Sequence, residues 1–430
     1  MKKNYLITFS LILLLLISIS CNTTEPPFKE EPPKAIKLKL LDVSCTEAFI
    51  NVNAADSVLP VLITLKKDNT PLFNFTLTKT DTVVIDTTLQ PNTTYIYQTT
   101  EEIKGKEENS DTINVKTLPT TSHNFIWQKY EFGGIGGSSV LYDVAIINEN
   151  DIWAVGEIYA DTTGQAYNAV HWDGTTWKLL KLQFYTFCGQ THMGSYPASA
   201  VYAFDDGSVV IGSASQVTYL NGENQIKTEC IPLTISINKI WGNSSNDFYV
   251  VGNSGSIAHY QNGAWRKVES GTDTRIQDIW GCTNPNSQLT KVLIVMSNPA
   301  KIMSLSSNTA TDTLNWPMDK GLGSVWFDNY HLVVGNGGIW AYRNSNWEKM
   351  ESTPEFFPNT LRGDKINNLF VAAWGAKMSH FNGIEWQSVT NIPSNISFTS
   401  MSVKNKVVVA VGFTSSGGLV GAAAICMASY

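Results

Sequence analysis

The chain has 430 residues, only 16% of them charged, and a net charge of -7; soluble domains usually carry about a quarter charged residues. No block of five or more basic residues occurs, which argues against nucleic-acid binding through a phosphate-matching basic face. Aromatics are abundant, with 13 Trp, 16 Tyr and 18 Phe, while Thr, Ser and Asn fill the polar positions in place of charge: the profile of an extracellular all-β protein.

Residues 1–20 read as a secretory leader: Lys2 and Lys3 form a basic start, Leu6 to Ile19 an apolar run, and Ser20 a small residue before Cys21. The run is shorter than the roughly 18–20 residues a spanning helix needs. The Ser20-Cys21 junction resembles a bacterial lipoprotein signal, although the position three before the cysteine is Ser18 where that family usually has Leu. The resemblance implies acylation of Cys21, an exported protein of the cell envelope, and anchorage to the outer membrane. An ordinary cleavage site and an uncleaved anchor are the alternatives. Residues 21–35, rich in paired prolines and charges, read as an extended tether.

Residues 36–118 alternate apolar and polar residues with period two. Ala48 to Asn53, Val61 to Leu65, Thr82 to Ile85, Tyr95 to Tyr97 and Thr112 to Val115 read as strands of a sandwich. The stretch Leu89-Gln90-Pro91-Asn92-Thr93-Thr94-Tyr95 resembles the corner of a fibronectin type III domain, in which a Leu enters the core and a Tyr bonds back to the backbone. Tyr95 matches that Tyr. The family's second strand usually carries a core Trp; here Val52 or Phe49 must fill the space. With no Arg-Gly-Asp present, the sandwich is expected to act as a spacer.

From residue 124 to 430 a cassette recurs about every 43 residues. Its clearest copy is Ile240-Trp241-Gly242, Asn246-Asp247-Phe248-Tyr249-Val250-Val251-Gly252, His259-Tyr260, Gly263, Trp265. That period suits four-stranded blades, each of which must stack on a neighbour to bury its faces. Counting first strands predicts a seven-bladed β-propeller, with six and eight as alternative counts. Fourth strands carry Trp177, Trp265, Trp316, Trp347 and Trp386, while the second repeat offers Ile226 in that place. The last repeat stops after three strands, and an orphan fourth-strand motif, Phe125 to Lys129, stands ahead of the first. A strand borrowed from beside Trp127 is therefore expected to complete the last blade and remove the free sheet edges. The region resembles bacterial extracellular propeller repeats of the Ile-Trp-Gly…Val-Val-Gly…Gly…Trp type, which implies a fold and no particular activity. The expected architecture is thus all-β: a fibronectin-type, immunoglobulin-like sandwich followed by a propeller.

His171, His259 and His380 each lie six residues before a blade Trp. Repeated at one position around a ring, they cannot converge on one metal, so they read as scaffold. No metal site and no cofactor is expected. Cys45, Cys188, Cys230, Cys282 and Cys426 remain after Cys21 and form no Cys-x-x-Cys pair. Cys188 and Cys230 are a candidate bridge. A sialidase needs an arginine cluster that the chain's few arginines do not suggest, and no nucleophile elbow or phosphate loop appears.

Loop length supplies the binding clue. Turns between second and third strands share one face with the connections between blades. In the first blade that turn swells to residues 157–168, with Tyr159 and Tyr167. The connection into the second blade, residues 183–198, carries Phe184, Tyr185, Phe187, His192 and Tyr196. Aromatic loops on a rigid ring suit protein or carbohydrate recognition; the competing reading is that these rings plug the ring's funnel or pack on the sandwich. The expected function is a non-catalytic surface binding or scaffold protein with an unknown protein or glycan ligand, the alternative being a carbohydrate-active hydrolase or lyase on the propeller face.

Overall fold

The computed structural model describes residues 34–430 except 104, 165, 234–235, 285–287, 306–308, 319–320, 344, 417–418 and 430. The leader, Cys21 and most of the tether lie outside the described residues. No helix among the described residues is long and apolar enough to cross a membrane.

The N-terminal strands form two facing sheets. Ala48–Ala54 sits between Ile36–Val43 and Asp81–Asp86 in one. The other orders Thr70–Leu77, Val61–Lys67 and Thr94–Ile103, and both Lys106–Asn109 and Ile113–Lys116 pair with the last of these. The period-two pattern turns Ile50, Val52, Ile63 and Leu65 inward, where all are fully buried with Tyr97 and Val115; each such aliphatic side chain contributes about 1.5–3 kcal/mol. The Tyr95 hydroxyl accepts the Gln90 amide proton at 2.8 Å, beside buried Leu89. Of the two candidates for the missing Trp, Val52 takes the core position. Phe49 faces away, its ring 5.2 Å from that of Tyr330 and 5.1 Å from that of His331.

Seven four-stranded antiparallel sheets follow among the described residues, the first six running in sequence order from an inner to an outer strand and the seventh taking its outer strand from ahead of the first. Their inner strands are Val140–Asn148, Ala200–Ala203, Ile237–Ser244, Ile276–Thr283, Ser324–Phe327, Thr360–Lys365 and Ile396–Lys404. Each inner strand packs on the next, and the seventh packs on the first, so the sheets close into a ring. An apolar cluster fills every interface between neighbouring sheets. The closing strand is Gln128–Phe132, paired antiparallel with Leu419–Ser429 so that Tyr130 lies opposite Ile425 and Lys129 opposite Cys426. This completes the seventh sheet beside Trp127.

The outer tryptophans pack at the interfaces as expected: Trp177 between the seventh and first sheets, Trp265 between the second and third, Trp386 between the fifth and sixth. Ile226 does not take the equivalent place, because it is 62% exposed. The interface where a second-sheet Trp would lie, between the first and second sheets, is filled instead by Leu182 and Phe184 of the connection and Leu220 of the second sheet. At the hairpin tip of the third sheet, Asn262 and Gly263 both have positive φ, 51° and 84°, the backbone that the Asn-Gly pair predicts.

The sandwich seats on the ring through the fifth and sixth sheets. The Cys45 thiol donates to the Pro119 carbonyl. A Cβ on Gly383 would lie 2.3 Å from the Cys45 sulfur, so the Asn382-Gly383 turn needs glycine to lie this close. Thr121 fastens the connecting segment, its hydroxyl donating to the Asn367 carbonyl at 2.6 Å.

Candidate functional site

The ring axis is not an open channel. Asp143 of the first sheet accepts from Lys239 of the third at 2.6 Å and from the Ser400 hydroxyl of the seventh at 2.7 Å. Lys239 also donates to Ser400 at 2.8 Å. Beside this triad, Arg362 of the sixth sheet grips Asp278 of the fourth with two bonds, 2.7 and 2.8 Å. Ser324 of the fifth sheet donates to the same carboxylate. These contacts cross the axis and seal it. Burial alone would raise the pKa of Asp278, but the charge and hydrogen bonds of Arg362, with the charge of Lys239, hold it below the ordinary value.

On the face where the inner strands begin, the plug is the floor of a cavity of ≈ 770 Å³, a size suited to small ligands or short chain segments. Tyr142, Asn238, Gln277 and Asn359 line it from the inner strands and their edges, and Phe413 from the second strand of the seventh sheet. Phe356, Phe357 and Pro358 line it from the connection into the sixth sheet, and Trp374 and Lys377 from the second-to-third-strand turn of that sheet. Arg275 and Lys239 add two further cations, and no carboxylate lies in the described lining. Trp374 is 65% exposed and Phe357 46%. A Cβ on Gly323 would lie 2.0 Å from the Pro358 carbonyl and 2.9 Å from the Phe357 ring, so this glycine is what lets the aromatic segment lie across the cavity wall. The opposite face holds a smaller hollow of ≈ 270 Å³, on the far side of the same plug.

The loop aromatics singled out from the sequence sit mainly outside this cavity. Phe184 is fully buried between the first and second sheets, and Tyr196 packs against the same cluster. Tyr185 is half-buried, its backbone held at both ends by Gln216. Tyr167 is half-buried under the Lys181 ammonium, 4.5 Å from its ring. Phe187 and His192 are exposed. The segment is a pinned hairpin: Phe184–Tyr185 pairs with Met193–Gly194, buried Asn168 donates to the carbonyls of Leu182 and Tyr196, and Cys188 is bridged to Cys230. Tyr159 is not part of the cavity lining either. It donates to Glu157 at 2.5 Å, and the Glu157 charge also acts on cavity-lining Tyr142, whose pKa is raised by burial first and by Glu157 second.

The sequence reading missed Trp374, Phe356 and Phe357. The signals were present: a Trp at the tip of a tight turn, and a second aromatic connection between sheets at residues 351–359.

The three repeated histidines occupy one structural position in their sheets. His171 and His259 bond Asp151 and Asp247 at 3.0 and 2.6 Å, stacking on Trp153 and Tyr249. His380 bonds Asn368 at 3.0 Å and meets His123 at 2.9 Å; burial, and then the His123 charge, lower its pKa to about 3. Outside that pattern, His331 gathers carboxylates. Its Nδ1 lies 3.1 Å from Asp328 and 3.8 Å from Asp42, and its Nε2 lies 3.7 Å from Glu47. Asp42, Asp328 and His331 are close enough for one cation to bridge them. Asp328, however, already accepts the backbone protons of Tyr330 and His331, and Glu47 accepts from Arg343 at 2.9 Å. The cluster therefore serves as an ionic junction between sandwich and ring.

No family model matches the chain, and no curated protein matches it. Solved structures do. YCF48 bound to D1 peptide aligns with a TM-score of 0.51 and 14% identity, over 73% of this chain and 100% of that one. The WD40 β-propeller domain of Doa1 aligns with a TM-score of 0.51 and 13% identity, over 70% of this chain and 97% of that one. The chain contains a β-propeller. Likeness at this level of identity establishes the fold alone, and the propeller's chemistry has to come from its own plug, cavity and loops.

Proposed function

We propose that the chain is an exported, lipid-anchored envelope protein in which a fibronectin type III-like sandwich carries a seven-bladed propeller that binds a protein partner without catalysis. The observation that carries the reading is the blind cavity, floored by a satisfied ionic plug and walled by exposed aromatics and cations. Such a wall binds well and lacks the paired carboxylates a glycosidase needs. Propellers of this shape include one solved with a bound peptide, which favours a protein ligand over a glycan. The Tyr95 corner bond supports the fibronectin-type assignment. The Cys188–Cys230 bridge supports export, because such bonds persist in oxidising compartments.

Two measurements test it. Labelling cells with a tagged fatty acid should mark the chain, and Cys21→Ala should abolish the label. A panel of envelope proteins, peptides and glycans presented to the full chain should yield a protein or peptide ligand; turnover of a glycan would replace this reading with the carbohydrate-active one.

A further inference from the structure

The cavity's geometry narrows the ligand. A polymer threading the ring needs an exit, and among the described residues the Asp143–Lys239–Ser400 and Asp278–Arg362–Ser324 contacts close the axial one. A chain end fits such a blind hollow where a threaded polymer does not. Lys239 is already paired with Asp143, but Arg275 and Lys377 are exposed at the cavity, with no carboxylate in the described lining to neutralise them. In a protein whose net charge is -7, this is a local excess of positive charge at the cavity. A terminal ammonium would be repelled there. A terminal carboxylate would gain charge-assisted hydrogen bonds, with Arg able to hold both of its oxygens. Around these cations stand the exposed rings of Trp374 and Phe357 and the half-buried ring of Phe356, surfaces that take apolar or aromatic side chains.

We infer that the cavity is a receptor for the free C-terminal end of a polypeptide whose last residues are apolar or aromatic, with Arg275 and Lys377 holding the carboxylate and Trp374 and Phe357 holding the side chains. This deepens, and rests on, the proposed non-catalytic recognition of a protein partner.

The test uses the full chain and a library of N-acetylated hexapeptides randomised among Phe, Leu, Val, Ala and Tyr at the last three positions, made once with free C-termini and once amidated. Free-acid members should bind, and amidation should weaken them about tenfold or more, the loss expected for one charge-assisted contact. Arg275→Ala with Lys377→Ala should cause a similar loss, Trp374→Ala should narrow the preference for aromatic ends, and Arg266→Ala on an outer strand should change nothing. Equal binding of amidated peptides, or binding that survives the Arg275/Lys377 pair, overturns the inference. So does absence of binding by every free-acid member. Peptide binding lost with Phe187→Ala and His192→Ala instead would move the site to the pinned hairpin and leave partner recognition standing. An oligo-uronate that occupies the cavity and excludes peptides overturns both this inference and the protein-partner reading.

Discussion

Glu47 of the sandwich and His331 of the ring face one another across 3.7 Å, although nearly three hundred residues of chain separate them. Burial works against a charged His331, yet its bond to Asp328 and the charges of Asp328, Glu47 and Asp42 overcome this and raise its pKa. Asp42 is raised as well, chiefly by burial, whereas Asp328 is lowered against its own burial by the bond and charge of His331. The groups facing the imidazole are therefore three carboxylates, with Tyr330 beside them and Arg343 on Glu47. A histidine whose folded value is raised stabilises fully below its ordinary value near 6.5 and loses that contribution as pH rises through the folded value. Asp42 acts in the same direction, and Asp328 matters only in strong acid. The junction is thus expected to be firmest in mildly acidic solution and to loosen as pH rises through the raised His331 value. Hydrogen exchange at Glu47 and Tyr330 across that range checks it, and His331→Gln should flatten the dependence.

The same reasoning applies with opposite sign at His380. Burial, and then the His123 charge, leave it neutral with a pKa of about 3, and its partner at the position of Asp151 and Asp247 is Asn368, an amide that brings no opposing charge. Folding is opposed once the unfolded chain can take up this proton, so the site contributes acid sensitivity as pH falls below about 6.5. Asn368→Asp restores the carboxylate found in the first and third sheets. It should raise the His380 pKa by about 1–3 units, read from the ring-proton shifts in an NMR titration. An unchanged titration would show that the hydrogen bond, and not the charge, distinguishes the sheets.

Much of this was legible in the chain. The cassette at a period of about 43 residues announced stacked four-stranded sheets, and the orphan strand near Trp127 announced the closure, because both are local patterns whose meaning depends on one sheet at a time. The scaffold role of His171, His259 and His380 followed from repetition alone. The cavity was not legible, because Tyr142, Arg275, Phe357 and Trp374 come from different sheets and meet only once the ring closes. The His331 cluster was hidden for the same reason, and Ile226 was misplaced because the interface between the first and second sheets is filled from the connecting segment, by Leu182 and Phe184.

The axial plug makes a sharp stability prediction. Arg362 and Asp278 are both buried, so Arg362→Leu leaves a buried carboxylate without its partner. Loss of one member of such a pair costs about 3–5 kcal/mol. Replacing both, as Arg362→Leu with Asp278→Leu, should recover most of it. Chemical denaturation of the two variants separates these outcomes, and equal destabilisation by both would mean that the pair itself, beyond its charge balance, holds the ring.

The Cys188–Cys230 bridge spans 42 residues and ties the Phe184 hairpin to the outer strand of the second sheet. A loop of that size stabilises by at most about 4 kcal/mol on a chain-entropy basis. Cys188→Ser with Cys230→Ser should lower the thermal midpoint and speed hydrogen exchange in residues 184–194, leaving exchange in the Asp278 plug slow. Fast exchange throughout the ring would mean that the bridge holds more than its hairpin.

Lys129 lies directly opposite Cys426 in the closing strand pair, and Cys426 is a buried free thiol. Directly paired residues in antiparallel strands have Cα atoms roughly 4.5–5.5 Å apart, within the span a disulfide accepts. Lys129→Cys is therefore expected to oxidise onto Cys426 and lock the N-terminal strand to the last sheet. The bond would be found as a cross-linked peptide pair by mass spectrometry. It closes nearly the whole propeller as one covalent loop, so on a chain-entropy basis it should stabilise by about 5–6 kcal/mol at most, raising the midpoint in oxidising buffer and losing that gain with reductant. If the strand closed the ring in another register, this thiol would face a different residue and no such pair would form, whatever the oxidant.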